Sequence, residues 1–184
     1  TSSASCLDVY NWSTAAGGNI AQYSYWGGAC QLWILEKASD TKGTDISLSA
    51  NDLTYGNHTN AITSGSFTIG ASSGKNVAVL NRNTTVNGTS YSKVLQMNGG
   101  NSTGRYIKFT ATGACTVKVT AASTSTSASR TLRLASGSVG GSTVGNATIT
   151  GTPSTVTYKI PSAGTYYLYS TRNGIYVYQV NVAY

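Results

Sequence analysis

Two lysines on either side of a predicted turn are the residues whose types and spacing most directly suggest binding chemistry. The segment SYSKVLQMNGGNSTGRYIKFT, residues 90–110, has an extended, alternating run on each side of a loop rich in Gly, Asn and Ser, which is typical of a β-hairpin. Folding the segment about Gly100 and Asn101 would place Lys93 opposite Lys108. Because like charges directly across a strand pair are destabilising, such a pair predicts a site where an anion binds between two ammonium groups.

The separation of acidic and basic residues along the chain supports this hypothesis. All five acidic residues lie in the first 52 positions, where Lys37 and Lys42 are the only basic residues, so this part carries −3. The other ten Lys and Arg lie beyond it and no acid accompanies them, so the remaining part carries +10. Cations without internal carboxylates need solvent anions or an anionic partner.

The residue types that catalysis or metal binding requires are missing from this basic part. A glycosidase uses two carboxylates, and residues 53–184 contain none. His58, in the loop YGNHTN, is the only histidine and has no evident Asp or Cys partner, so we expect a surface residue. We therefore predict that the chain is not an enzyme and has no catalytic residue, metal or cofactor. A lyase that uses Tyr or Arg as its base is an alternative that composition leaves open.

Composition favours an all-β extracellular protein over a helical cytosolic one, and the resemblance described below implies secretion from a bacterium. Only 9% of residues are charged, and no apolar run is long enough to cross a membrane. No secretion signal begins the chain at TSSASCLDVY, so we expect a processed or excised segment. A pI of about 9.4 would also suit nucleic acid, but a groove-binding helix, RNP-like aromatics and a Lys/Arg run are all missing. We predict neither a nucleic-acid nor a membrane partner.

Residues 1–41 differ from residues 42–184 and carry a recognisable motif. They contain all three tryptophans and two of the three cysteines, and the charged segment EKASDTKGTD then indicates a boundary near Lys42. The segment CLDVYNWSTAAGGNIAQYSYWGGACQLWIL opens with CLDV and closes with QxW. It resembles one repeat of the ricin-type β-trefoil lectins and family 13 carbohydrate-binding modules. The resemblance implies sugar binding by Asp8, Tyr23 and Gln31, with Cys30 replacing the family's Asn.

A single repeat of this kind cannot close a hydrophobic core alone. It would pack with repeats outside this chain, on its neighbouring domain or on a copy of itself. Cys6 and Cys30 could form a disulfide in an oxidising compartment, whereas Cys115 is expected to be a buried thiol in a strand.

Residues 42–184 read as a series of short strands bounded by Gly, Asn, Ser or Pro. Ten segments fit, and several alternate apolar and polar residues, which places one face inward: GSFTIGAS, NVAVLNR, YSKVLQM, RYIKFTAT, CTVKVTAA, RTLRLAS, NATITG, VTYKI, GTYYLYS and IYVYQVNV. Ten strands without a helical period predict an all-β fold, a β-sandwich of the jelly-roll type. The final two strands are predicted to form a hairpin through Asn173-Gly174, with Arg172 beside the turn.

Four phrases of this second part identify a second resemblance. They are GSFTIGASSGKNVAV, TSYSKVLQMNGGNSTGRYIKFTATGACTVKV, SRTLRLAS and IPSAGTYYLYSTRNGIYVYQV, and in this order they resemble the family 77 carbohydrate-binding modules, which are attached to bacterial pectate lyases. The resemblance implies a β-sandwich that binds demethylated homogalacturonan through three lysines. By position two of them are Lys93 and Lys108, and Arg172 stands where the third is expected.

The predicted function is therefore non-catalytic recognition of acidic pectin, a polygalacturonate, which targets a covalently attached pectin-degrading enzyme. Hydrogen bonds between cations and carboxylates are worth about 1.5–3 kcal/mol each, so three could hold an oligomer without an aromatic platform. Arg105 and Arg130 are expected to flank the site, although Arg130 and Arg133 also fit a solvated edge. The alternatives are a structural or accessory β-sandwich of a secreted glycan-degrading enzyme, or a binder of another polyanion.

Overall fold

The computed structural model describes residues 5–14, 18–33, 43–99 and 104–184. The chain divides into two compact units, Thr1–Asp40 and Thr41–Tyr184. The predicted turn centre at Gly100 and Asn101 and the predicted boundary at Lys42 lie outside the described residues. Among the described residues, no helix is long and apolar enough to cross a membrane.

The first unit is built on one small antiparallel sheet. Strands β1 (Ser5–Val9) and β2 (Ile20–Ser24) pair with Asp8 opposite Ala21, and two 3-10 turns, η1 (Tyr10–Trp12) and η2 (Ala29–Gln31), follow the strands. Gln31 is 5% exposed and ties η2 to both strands, since its Nε2 donates to Asp8 Oδ2 and to Ser24 O at 3.0 Å each. Most of the large apolar side chains of the first unit are exposed, including Trp12 at 62% and Trp26 at 53%.

The described residues of the second unit form thirteen strands and one 3-10 turn, η3 (Ala50–Asp52). The strands are β3 (Ile46–Ser49), β4 (Gly56–His58), β5 (Ile62–Ser64), β6 (Phe67–Ile69), β7 (Val77–Val86), β8 (Thr89–Met97), β9 (Ile107–Ala111), β10 (Cys115–Ser123), β11 (Arg130–Ser136), β12 (Ser142–Ile149), β13 (Ser154–Ile160), β14 (Gly164–Ser170) and β15 (Ile175–Ala183). All ten strands predicted from the sequence are present, and β3, β4 and β5 were not predicted.

These strands form two antiparallel sheets that enclose one core, which confirms the predicted all-β sandwich. The seven-stranded sheet has the order β13-β10-β15-β8-β7-β4, with β3 also pairing to β15, and the six-stranded sheet has the order β12-β11-β14-β9-β6-β5. Apolar residues at alternate strand positions, such as Val117, Leu134 and Leu168, are fully buried between the sheets. The other positions face outward, as the two-residue period of a strand requires.

The strand β15 changes partner along its length, and this change positions η3. Its first residues, Ile175–Val177, pair with β8, whereas Gln179–Val182 pair with β3. Because η3 follows β3 directly, it lies beside β8 where β8 no longer pairs with β15. Asn51 Oδ1 there accepts hydrogen bonds from the backbone N–H groups of Ser92 and Lys93 at 2.9 and 3.0 Å.

The predicted hairpin between Lys93 and Lys108 is wrong. Strand β8 belongs to the seven-stranded sheet and β9 to the six-stranded sheet, so the two lysines are not cross-strand neighbours. Lys93 lies opposite Asn81, and Lys108 lies between Thr68 and Tyr167. The chain between them crosses from one sheet to the other, a connection that local alternation cannot distinguish from a hairpin.

The predicted hairpin through Asn173-Gly174 is also wrong, because β14 and β15 lie in different sheets. Asn173 does have the positive φ of a tight turn, +59°. The two-residue hairpin is instead formed by Asn87-Gly88, which joins β7 to β8 with φ values of +48° and +79°. Positive φ at both central positions is what this type of turn requires.

The three cysteines are free thiols. Cys115 is 8% exposed at the start of β10, which confirms the prediction of a buried thiol, and this burial raises its pKa. In the first unit, desolvation raises the pKa of the Cys30 thiol, and a hydrogen bond with the Asp8 carboxylate raises it further.

Candidate functional site

Lys108 lies on the outer face of the six-stranded sheet beside two tyrosines. Ile107 and Phe109 face the core, so Lys108 between them faces outward. Its register partner on β14 is Tyr167, whose ring meets the ring of Tyr106 edge to face with centroids 5.2 Å apart. Directly paired residues point to the same side of a sheet. Tyr106, Lys108 and Tyr167, with Thr68 on the far side of Lys108, therefore form one surface, the tyrosine–lysine face.

Gly70 creates the space for this face. A Cβ at Gly70 would lie 2.5 Å from Tyr106 Cε1, so a larger residue would displace the ring. The Gly70 N–H also donates to Tyr106 O at 2.8 Å, which fixes the backbone where β9 begins. This tyrosine pair was not among the residues predicted for the site, which were all cations.

Three arginines predicted for the site gather at one end of the sandwich, which we call the arginine end: Arg105, Arg130 and Arg172. On β11 and β14, Leu132 pairs with Ser170, and the Thr171 N–H donates to Thr131 O at 3.2 Å. Arg130 begins β11 and Arg172 lies in the bend that follows β14, so both arginines lie at this end of the sheet.

The arginine end is continuous with the tyrosine–lysine face, because β9 and β14 run from one to the other. Arg105 directly precedes Tyr106, and Arg172 follows β14, which carries Tyr167. The loops at this end also touch, since Gly99 packs directly against the backbone of Asn173.

The cations of these two surfaces differ in the number of hydrogen bonds that they donate to the protein itself. Arg105 donates to three carbonyls, Asn76 O at 2.9 Å, Asn98 O at 3.0 Å and Gly74 O at 3.3 Å, so its guanidinium joins two loops. Arg130 donates through Nη1 to Ser129 O at 3.0 Å, while its buried Nε has no acceptor. The side chains of Lys108 and Arg172 form no hydrogen bond or ion pair with the described residues.

Lys93 lies away from both surfaces, and its ammonium group has internal acceptors. Its Nζ donates to Leu53 O at 2.8 Å and to Asn51 O at 3.1 Å, which ties η3 to β8. Two of its three N–H donors are thus used by the protein. The structure does not bring Lys93 together with Lys108 or Arg172.

Four other cations of the second unit are bonded to neighbours or lie on the outer face of the seven-stranded sheet. Arg82 donates to the Tyr178 hydroxyl at 3.2 Å and lies 4.6 Å from the Tyr176 ring centroid, and Arg133 donates to Asn146 Oδ1 at 2.9 Å. Lys118 and Lys159 are exposed on the outer face of β10 and β13. These two lysines match Lys108 in charge and occupy a different surface.

Two of the three predicted sugar-binding residues of the first unit line one cavity. Asp8 and Tyr23 line a space of about 280 Å³ together with Trp12 and Trp26, whose ring centroids are 5.4 Å apart. Gln31 does not line it, because its amide is fully used by Asp8, Ser24 and the Trp26 N–H. Gln31 therefore fixes Asp8 in position, whereas the two tryptophans were not predicted for this site.

Side chains that commonly hold metal ions are few among the described residues. No group of three or more His, Cys, Asp and Glu side chains that could hold a metal ion occurs among them. His58 is half-buried, and its Nε2 lies 2.9 Å from Thr54 O. The tyrosine–lysine face and the arginine end offer aromatic surface and N–H donors, which suit a ligand with carboxylates and apolar ring faces.

Tyr106 is the site residue that sequence reasoning could have found. In RYIKFTAT the outward positions Tyr106, Lys108 and Thr110 alternate with the buried Ile107 and Phe109, so the strand pattern alone places Tyr106 beside Lys108. Tyr167 could not be found in this way, because its place beside Lys108 depends on the pairing of β14 with β9.

No family model and no curated protein matches the sequence. Among solved structures, the chain is similar to one described for glycan recognition in the cellulosome of Ruminococcus flavefaciens, at 15% identity over 77% of this chain and 95% of that one, with a TM-score of 0.48. It is also similar to the CBM22-1 xylan-binding domain of Xyn10C from Paenibacillus barcinonensis, at 14% identity over 79% and 97% of the two chains and a TM-score of 0.48. A third is the K1 cleaved adhesin domain of Lys-gingipain from Porphyromonas gingivalis, at 16% identity, 76% and 98% coverage and a TM-score of 0.48.

Proposed function

We propose that the second unit is a non-catalytic carbohydrate-binding module that recognises low-ester homogalacturonan, the acidic form of pectin. The observation that carries this proposal is the unbonded ammonium group of Lys108 beside the Tyr106–Tyr167 pair, next to an arginine end without carboxylates. The resemblance of the sequence to family 77 modules points to the same ligand. In the parent protein such a module would be secreted and would hold an attached pectin-degrading enzyme on its substrate.

The proposed contacts follow from the chemistry of the two surfaces. Lys108 donates to one galacturonate carboxylate, and the tyrosine rings lie against the apolar face of a sugar ring. Arg172, which is exposed, donates to a second carboxylate at the arginine end, and the positive charge of Arg130 favours an anion there. Arg105 supports the loops of this end. Lys93 remains a predicted ligand contact only through its third N–H donor, and the proposal does not depend on it.

A binder of another polyanion is the alternative that the same observation favours, because sulfate or phosphate would also satisfy these donors. A structural or accessory role would not account for an ammonium group on Lys108 that has no acceptor among the described residues.

Affinity electrophoresis of the full chain in gels containing different polymers tests the proposal. We expect retardation by low-ester pectin and polygalacturonate, weaker retardation by highly esterified pectin, and none by xylan, cellulose or equally charged DNA. Added salt should weaken the binding, because exposed charge pairs are screened within about 8 Å at physiological ionic strength. Retardation by cellulose alone, or equal retardation by DNA, would contradict the proposal.

Variants of Arg172 in the same gels test the arginine end. Arg172→Ala should weaken retardation by polygalacturonate. Arg172→Lys keeps the charge but loses the planar fork, so it should weaken binding too if a carboxylate is bound bidentately. Unchanged retardation for both variants would restrict the site to the tyrosine–lysine face.

We also propose a sugar site in the first unit, because Asp8, Tyr23 and the tryptophan pair surround one cavity. A carboxylate beside exposed aromatic rings suits a neutral sugar, with hydroxyl groups on Asp8 and a ring face on Tyr23. Galactose and lactose, titrated while tryptophan fluorescence is recorded, test this site. Saturable quenching that Tyr23→Ala abolishes would support it, and an unchanged spectrum would exclude these sugars.

A further inference from the structure

A polar groove of about 520 Å³ lies where β7 and β8 approach their hairpin turn. Its walls consist of amide and hydroxyl side chains without a charged group, from Asn51, Asn83, Thr84, Thr85, Ser90 and Ser92. The groove lies at the far end of β7 and β8 from the arginine end, since Asn76 and Asn98, which flank the other ends of these strands, bind Arg105. It is therefore separate from the proposed pectin site.

A β-bulge and η3 build this groove. The pairing of β7 with β8 shifts between Asn81 and Thr84, so that Arg82 and Asn83 both oppose Ser92. A bulge of this kind redirects side chains and occurs often beside binding sites. On the other wall, Asn51 Oδ1 accepts from the Ser92 hydroxyl at 3.2 Å, in addition to its two backbone donors. Lys93, through its bonds to Asn51 O and Leu53 O, is a positioning residue for this wall.

The floor of the groove is rigid. Tyr91 is 5% exposed, and its hydroxyl donates to Gln179 Oε1 at 2.7 Å. Its ring packs on that of Tyr178, with centroids 5.5 Å apart. A floor fixed at both the ring and the hydroxyl holds the polar walls in place.

The walls keep unused hydrogen-bonding groups. The side chains of Asn83 and Thr84 and the amide nitrogen of Asn51 form no hydrogen bond with the described residues. Together they present donors and acceptors at adjacent positions. The volume of the groove lies within the range of ligand sites, roughly 300–1,000 Å³.

We infer that this groove binds a neutral oligosaccharide. Several amides and hydroxyls without a charge complement sugar hydroxyl groups, which also both donate and accept, whereas a carboxylate or phosphate would find no cation among the groove's lining residues. This site does not depend on the proposed binding of homogalacturonan, and either could exist without the other.

Amide NMR spectra of the full chain, titrated with neutral tetrasaccharides of β-1,4-linked xylose, mannose, galactose and glucose, test the inference. At about 10 mM sugar, we expect at least one to shift the amide signals of residues 83–85 and 90–92. The double variant Asn83→Ala, Thr84→Ala should weaken that binding at least about fivefold, as expected for the loss of one net hydrogen bond. If the double variant does not fold, the single variant Thr84→Ala replaces it in the test. Lys108→Ala is the control and should leave the affinity for the neutral sugar unchanged.

Three results would overturn the inference. The first is that none of the four sugars shifts these amide signals. The second is that the variants leave the shifts undiminished, and the third is that tetragalacturonate shifts the signals as strongly as the neutral sugars do. Loss of polygalacturonate binding in Lys108→Ala would not bear on this groove. Failure of the proposal for the groove can therefore be distinguished from failure of the proposed pectin site.

Discussion

Lys93 and Lys108 are both half-buried strand lysines, yet their surroundings assign them different roles. Lys93 donates to two backbone carbonyls between β8 and η3, whereas Lys108 finds no acceptor among the described residues and lies beside a tyrosine pair. The charge imbalance of the sequence indicated that some cations lack partners, and within the described part of the chain that is true of the Lys108 and Arg172 side chains. It could not indicate that backbone carbonyls already bind Lys93, because Asn51 and Leu53 are about 40 residues away in sequence.

Lys93→Ala should therefore lower the stability of the protein. Loss of two hydrogen bonds from a partly exposed charged donor should reduce the free energy of unfolding by about 1–2 kcal/mol. This expectation reverses the one that follows from two facing lysines, for which the substitution would relieve repulsion. Urea unfolding measures the change, with the exposed Lys118→Ala as a control. Equal stability of the two variants would show that the Lys93 contacts contribute nothing.

At the scale of the strands, local pattern was sufficient to locate elements but not to pair them. Each of the ten predicted segments contains a strand, because alternation of apolar and polar residues is a local property. Sheet membership depends on contacts between distant segments, which is why the dipeptide Asn-Gly forms a hairpin at Asn87-Gly88 and a crossing between sheets at Asn173-Gly174. The arginine end and the Tyr167–Lys108 pairing could not be predicted for the same reason.

The β7–β8 hairpin depends on the backbone of Gly88. With a φ of +79° and nothing within 4 Å of an added Cβ, Gly88→Ala would be strained only through its backbone. We expect a loss of about 1 kcal/mol in the free energy of unfolding. Gly113→Ala is the matched control, since Gly113 also has open space around it but lacks a positive φ. Thermal unfolding measures the change, and an equal decrease in melting temperature for the two variants would contradict this account.

The two sheets are joined by a hydrogen bond that should make stability depend on alkaline pH. Tyr158 on β13 donates to Leu132 O on β11 at 2.9 Å, and burial raises its pKa. A raised pKa means that the bond stabilises the fold fully below the unfolded-state pKa, about 10, and that this contribution decreases as pH rises above it. Stability should fall less steeply above pH 10 in Tyr158→Phe than in the wild type. The exposed Tyr55→Phe should retain the wild-type slope, and an equal change in both variants would assign the effect to other groups.

At the scale of the whole molecule, all proposed pectin contacts lie in the second unit. A chain of residues 42–184 should therefore bind polygalacturonate with the affinity of the full chain. Affinity electrophoresis of both forms measures this, with circular dichroism to establish that the shorter form is folded. A folded 42–184 chain with reduced binding would show that the first unit contributes to the site.

Two lysines of equal charge at different positions can distinguish general electrostatic attraction from binding at a specific site. The +10 carried by residues 53–184 attracts any polyanion, and Lys118 contributes to it as much as Lys108 does. Only Lys108 lies beside the tyrosine pair and next to the arginine end. A comparison of these two lysines therefore isolates the contribution of position from that of net charge.

Isothermal titration of a defined oligogalacturonate into Lys108→Ala and Lys118→Ala tests the central claim most directly. We expect Lys108→Ala to lose about 1.5–3 kcal/mol of binding free energy, roughly a 10- to 150-fold weaker affinity, with little change in stability. Lys118→Ala should bind within about twofold of the wild type, since an exposed charge on the other sheet is largely screened. An equal loss in both variants, or an unchanged affinity in Lys108→Ala, would contradict the site proposed on the tyrosine–lysine face.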